Sequence, residues 1–249
     1  MRFGLTTFLI AIALSLLALL WLELPWWSIF RRCVSIGAAL SLWIWIRKVE
    51  RRSFSSYGLG DPGAGKRQLL FGLSLGACTL AVMLGLGLAG GLSHMDITPD
   101  RTKLWRTVLG FVPAAALISV LEELVFRGYI LQQLRPCSAS AAVIASSALY
   151  AIVHLNTTTP TPSAWLELGG LFLLGGVLAL SYLRTGQLYL AMGLHAVLAY
   201  GARVNKLLIS FPDISISWLT GTSRLVNGVL GWAALLGMGA IMVVWTKRR

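Results

Sequence analysis

Residues 104–134 read LWRTVLGFVPAAALISVLEELVFRGYILQQL, and the fold follows from how that run is interpreted. It outlasts the roughly 20 apolar residues that carry a helix across a ~30 Å hydrocarbon core. Read as a membrane helix, it holds Glu122 and Glu123 side by side near its middle. An ionisable side chain there is costly to bury and marks a functional site by default.

The rest of the chain repeats the pattern. Of its 249 residues 57% are hydrophobic and only 12% charged, too few charges to coat a soluble domain of this size. Apolar segments recur at 3–24, 26–46, 68–92, 104–134, 137–155, 165–183, 188–206 and 223–245, which predicts an all-α, polytopic transmembrane helical bundle of about eight spans. The whole chain, 1–249, reads as a single integral membrane domain, with the chemistry within about 104–206. The first segment is taken as a retained helix, because Ala11 and Ala13, the small residues that a cleavage site would need, lie inside the apolar run. No internal repeat of 20–50 residues is visible, which weakens a duplicated-transporter reading.

The formal charge of +12 sits in clusters at segment ends, with no basic face interleaved with aromatics, so the expected partners are membrane lipids and not nucleic acid. Trp21, Trp26, Trp27, Trp43, Trp45, Trp105, Trp165, Trp218 and Trp245 lie near segment ends, at headgroup level, whereas Trp232 lies inside a run. With eight spans, Arg47, Lys48, Arg51, Arg52, Lys66, Arg67, Arg135, Arg184 and the basic termini share one side. Arg101, Lys103, Arg203, Lys206 and Arg224 take the other. The positive-inside rule then puts both termini in the cytoplasm, of a bacterial inner membrane by expectation, and makes the uncharged 156–163 stretch an outside loop.

Some features carry packing rather than chemistry. Gly72 and Gly76 form a small-xxx-small pair that lets helices approach closely in lipid. Cys33, Cys78 and Cys137 have neither C-x-x-C spacing nor nearby histidines and read as packing residues. Gly60 to Lys66 fits G-x-x-x-x-G-K, but Arg67 stands where Ser or Thr would hold magnesium and no buried strand precedes it, so the stretch reads as a flexible turn.

Helical spacing separates the two glutamates. Glu123 and Arg127 are i,i+4 and share a face, so an ion pair offsets part of their burial cost. Glu122 projects ~100° away and stays free to take a proton from water. His154 and His195 lie in other spans, and His94 in a loop beside Asp96. If the chain turns at Arg135 and Pro136, Glu122 and His154 differ in depth by only about 6 Å and can face one another across a helical hairpin.

Glu122-Glu123-x-x-x-Arg127, then Tyr150-x-x-x-His154, then His195 in a later segment resembles the three motifs of the CPBP family, the CAAX-protease-like membrane proteins. The resemblance covers residues 122–195, and Gly128-Tyr129 after the first motif strengthens it. It implies an intramembrane endopeptidase in which Glu122, assisted by His154, activates water while His195 stabilises the oxyanion. The substrate would be cut near the terminus of a membrane-anchored or lipidated protein. Two positions depart from the family pattern: Tyr150 replaces the usual Phe, and Ala199 replaces the Asn or Asp usual four residues after the last His. Tyr200, Asn205 and Asn227 are the candidate replacements for that missing donor.

Glu122, His154 and His195 also form a conceivable zinc set, but no H-E-x-x-H helix fixes two ligands one turn apart, so no cofactor is expected and Zn2+ is the alternative. The alternative function is a non-catalytic relative used for partner binding or self-immunity, which Ala199 favours. A proton-coupled carrier fits less well, for want of broken-helix pairs.

Overall fold

The computed structural model describes residues 2–19, 33, 37, 38, 40–154, 161–211, 216–221 and 226–247. Most of the expected second span and of the 156–163 loop therefore lies outside the described residues, as do Trp21, Trp26, Trp27, Arg224, Arg248 and Arg249. The chain divides into two compact units, Met1–Gly60 and Asp61–Arg249.

In the first unit α1 spans Arg2–Leu19, and residues 40–44 are helical and run into a π-helical turn, Trp45–Val49. Trp45 Nε1 donates to Glu50 Oε1 at 3.0 Å and the buried Tyr57 hydroxyl donates to Glu50 Oε2, so a carboxylate at a segment end is held by two aromatic residues.

The second unit holds six longer helices, α2 (Pro62–Ala89), α3 (Arg101–Glu123), α5 (Ala139–His154), α6 (Pro162–Thr185), α7 (Tyr189–Leu208) and α9 (Val229–Lys247), and two single turns, α4 (Leu131–Leu134) and α8 (Ser217–Thr220), among the described residues. Helix α2 begins on Asp61, whose carboxylate accepts from Gly63 N and Ala64 N, with Pro62 in the first turn. That corrects the sequence reading of this stretch as a flexible turn. An Asp cap followed by Pro is a helix start, and Gly63 to Lys66 belong to the helix. His94 is likewise not in a loop: the two-residue strand β1 (His94–Met95) pairs antiparallel with β2 (Ile209–Ser210), a small exception in an otherwise helical molecule.

Four helical stretches, Phe54–Ala89, Arg101–Leu134, Pro162–Thr185 and Val229–Lys247, are long and apolar enough to cross a membrane; Ala139–His154 is apolar but shorter. Hydropathy along the sequence gives eight spans, and these helices account for four of them. The surface agrees with lipid as solvent. Leu86, Leu109, Leu117, Ile144, Ile152 and Leu236 are exposed, whereas Glu123, Arg127, Ser119, Ser146, Ser147 and Ser181 are buried. An exterior of large aliphatics around a polar interior is stable only where the surroundings are apolar.

Close helix approach is built from glycine. A Cβ on Gly72 of α2 would lie 2.5 Å from Leu190 O of α7, and one on Gly193 of α7 would lie 2.6 Å from Leu69 O of α2. The two glycines face each other and let the backbones touch, the role the sequence assigned to Gly72. Gly175 does the same for α6 against α5, where a Cβ would meet Ser147 Cα at 3.0 Å. These contacts fix α7 and α5, the helices that carry the two histidines. The cysteines are free thiols; Cys33 is buried, but Cys78 and Cys137 are exposed, so only Cys33 fits the packing reading.

Candidate active site

At the end of α3 the backbone changes winding. Residues Leu124–Ile130 form a π-helical turn, and the N–H of Leu131 bonds Phe126 O five residues back. Ser146 Oγ from α5 also donates to Phe126 O, at 3.3 Å. Such single π turns recur at functional sites because they re-aim side chains within a continuous helix. This one follows directly on Glu122 and Glu123. Hydrophobic periodicity carries no signal for it.

Arg127, within the π turn, is fully buried. Its Nη1 donates to Glu123 Oε1 at 2.9 Å and its Nη2 to Gly175 O at 3.1 Å, while its guanidinium lies 4.6 Å from the centre of the Tyr150 ring. The expected ion pair is present. Glu123 does more than balance Arg127, however: the same Oε1 accepts from His195 Nδ1 at 2.8 Å. A carboxylate paired with arginine accepts only, so His195 Nδ1 carries a proton and Nε2 turns toward Glu122, 3.7 Å from its Oε2.

His154 approaches the same atom from α5. Its Nδ1 lies 2.8 Å from Tyr150 O, a carbonyl, which assigns the proton to Nδ1 and leaves Nε2 facing Glu122 Oε2 at 2.9 Å. The two imidazoles thus converge on one carboxylate oxygen, Glu122 Oε2. Glu122 keeps some exposure, 21% of its side chain, where Glu123 keeps none. The environments divide the labour: Glu123 is locked through Oε1 by a cation and an imidazole, and Glu122 is the carboxylate that keeps some exposure.

The structure thus brings Glu122, Glu123, Arg127, His154 and His195 into one cluster, including the encounter with His195 that spacing alone left open. It does not bring the suggested replacements for the absent donor at Ala199. The Tyr200 hydroxyl donates to Val108 O at 3.0 Å and is taken up in packing α7 on α3. Asn205 lines an apolar cavity of ≈ 400 Å³ between α2, α7 and α9. Asn227 is buried against Gly221. The side chain that does reach the cluster is Tyr150, whose hydroxyl lies 3.5 Å from His195 Nε2. Its spacing of one turn before His154 puts it on the same helix face, a signal already legible in the sequence.

A zinc site would need His154, His195 and Glu122 to aim at a common fourth point. Here both imidazole Nε2 atoms aim at Glu122 Oε2 itself, and among the described residues no group of three or more His, Cys, Asp or Glu is arranged to hold a metal. The donor set as it stands does not fit the zinc alternative.

Residues 104–200 match a family model described as type II CAAX prenyl endopeptidase Rce1-like. No curated protein and no solved structure matches the chain.

Proposed function

From the match of residues 104–200 to an Rce1-like family model, we propose that the protein is an intramembrane endopeptidase of the CAAX-protease-like CPBP type with Glu122 as its base. One observation carries the assignment: two imidazoles face Glu122 Oε2 and 21% of the Glu122 side chain stays exposed where Glu123 keeps none, so Glu122 is the carboxylate of the pair that a water can reach.

The reaction needs no metal in this reading. Glu122 takes one proton from water as the water oxygen bonds to the scissile carbonyl carbon, and the carbonyl π pair moves onto oxygen. His154, held by its Nδ1 bond to Tyr150 O, sets its Nε2 against the carboxylate and orients it for that step. His195, its ring fixed by Glu123, faces the developing oxyanion and donates to it from Nε2 when the ring is in its imidazolium form. Collapse restores the C=O bond and breaks C–N, and the proton held by Glu122 passes to the departing amine. Glu123 and Arg127 position and do not react.

The substrate class proposed is a membrane-anchored or lipidated protein cut near its terminus. In keeping with the family description, the first probe is a peptide whose farnesylated cysteine precedes three terminal residues. Reconstituted protein should cleave it, and Glu122→Gln should lower kcat by about 10²–10⁴-fold, the range for removing a positioned general base. Activity should survive dialysis against a chelator. Full processing by Glu122→Gln would overturn the mechanism and return the protein to a role in partner binding. Loss of activity on chelation, restored by Zn2+, would overturn the metal-free chemistry.

A further inference from the structure

We propose that the Tyr150 hydroxyl is an oxyanion donor in this protein, filling the place that Ala199 leaves empty of any polar group; the inference rests on the hydrolytic reading above.

Proton positions at the cluster limit which groups can donate. His195 Nδ1 gives its proton to Glu123 Oε1, so Nε2 bears a hydrogen only in the imidazolium form. In the neutral ring Nε2 can only accept, and an oxyanion beside it would find no donor there. The groups facing His195 are Glu122, Glu123 and Tyr150, with Arg127 behind Glu123. Of these, the carboxylates accept, and both Arg127 Nη groups are engaged by Glu123 and Gly175 O. Among the groups facing His195, the phenol is the neutral one with a hydrogen to give, and its hydroxyl reaches Nε2, the atom that also faces Glu122.

Its placement suits that task. Tyr150 is 2% exposed, and a buried hydroxyl ordinarily finds a well-made bond; this one has His195 Nε2 at 3.5 Å, the outer limit of such contacts. The donor is therefore held close to the cluster without being spent. The ring cannot turn aside, because it stacks on His154 with centroids 4.2 Å apart, meets Phe126 edge-on at 5.3 Å and lies under the Arg127 guanidinium. A donor fixed before the charge develops is the arrangement that stabilises a tetrahedral oxyanion most, since nothing must reorganise when the charge appears. In the step itself Tyr150 keeps its proton throughout. The carbonyl pair moves onto oxygen as water adds, the O–H and, when present, the His195 Nε2–H donate to that oxygen, and both bonds are released when C=O re-forms.

The test compares wild type, Tyr150→Phe, Glu122→Gln and the double variant Tyr150→Phe/Ala199→Asn, all reconstituted in liposomes, on the farnesylated peptide and on its phosphonate analogue. Tyr150→Phe removes one oxygen and keeps the ring. It should lower kcat about 10²–10³-fold with KM nearly unchanged, and weaken phosphonate binding by the same factor while leaving binding of the uncleaved peptide alone. Position 199 is one helical turn after His195 on α7, so an asparagine there projects on the same face and should recover part of the lost kcat. A Tyr150→Phe protein within threefold of wild type overturns the assignment. So does an equal loss of peptide and phosphonate binding, which marks a packing role. Thermal unfolding of each variant reports folding separately. The Glu122→Gln arm reads the hydrolytic reading on its own: if it cleaves like wild type, that reading falls and this inference falls with it, whereas an inactive Glu122→Gln beside an active Tyr150→Phe removes only the tyrosine.

Discussion

Three fully or nearly buried groups, Glu123, Arg127 and His195, meet at one oxygen, Glu123 Oε1, and the consequences of removing any one follow from charge balance. Arg127→Leu leaves a buried carboxylate without its cation, which costs about 3–5 kcal/mol when one partner of a buried pair is lost. The variant should unfold at markedly lower temperature and accumulate poorly in membranes. Removing both charges in Glu123→Leu/Arg127→Leu should recover much of that stability, because a well-packed apolar replacement of a buried pair is often neutral. Activity should not return with it, since His195 Nδ1 would have lost the acceptor that orients the ring. Thermal unfolding and peptide cleavage, measured on the same preparations, separate the two effects. The pairing of Glu123 with Arg127 was legible from i,i+4 spacing alone. The second bond of Glu123, to His195 72 residues on, was not, because nothing local in either segment encodes which helices touch.

At the scale of elements, the site depends on where α7 sits, and α7 is seated on α2 through glycines. Gly72→Ala would drive a methyl to 2.5 Å from Leu190 O, a rigid backbone atom, so the helices must part. Overpacking of this kind costs about 1–3 kcal/mol, and because His195 rides on α7 five residues after Leu190, cleavage should fall along with stability. Gly85 lies in the same helix, and a Cβ added to it would meet nothing within 4 Å, so Gly85→Ala should be neutral or slightly stabilising, by up to about 1 kcal/mol from helix propensity. A matched fall in both variants would mean that glycine flexibility in α2, and not contact, is what matters. The small-xxx-small spacing made the packing role of Gly72 readable in advance. The π turn at Leu124–Ile130 was not readable, for its apolar residues fit ordinary helical periodicity and only the bonds to Ser146 and Leu131 reveal the altered winding.

For the molecule as a whole, membrane embedding was the most legible property, because composition and segment length depend on no tertiary contact. Within the second unit the basic residues segregate along the bundle. Gln68 Nε2 of α2 bonds Gln187 Oε1 in the α6–α7 turn at 2.8 Å, Phe71 of α2 stacks on Trp245 of α9 with centroids 4.0 Å apart, and Gln132 bonds Tyr182. These contacts gather the start of α2, the α4–α5 turn, the α6–α7 turn and the end of α9 at one end of the bundle. Lys66, Arg67, Arg135, Arg184 and Lys247 collect there, whereas Arg101 and Lys103 open α3 at the other end. Short loops rich in Lys and Arg stay on the cytoplasmic side, so the basic end is proposed to face the cytoplasm. A fluorescent protein fused after Arg249 should then mature and fluoresce, and alkaline phosphatase fused at the same place should be inactive, while phosphatase fused in the 96–100 segment should be active. If the two phosphatase fusions exchange activities, the bundle is inverted and the cleaved bond approaches the site from the opposite face.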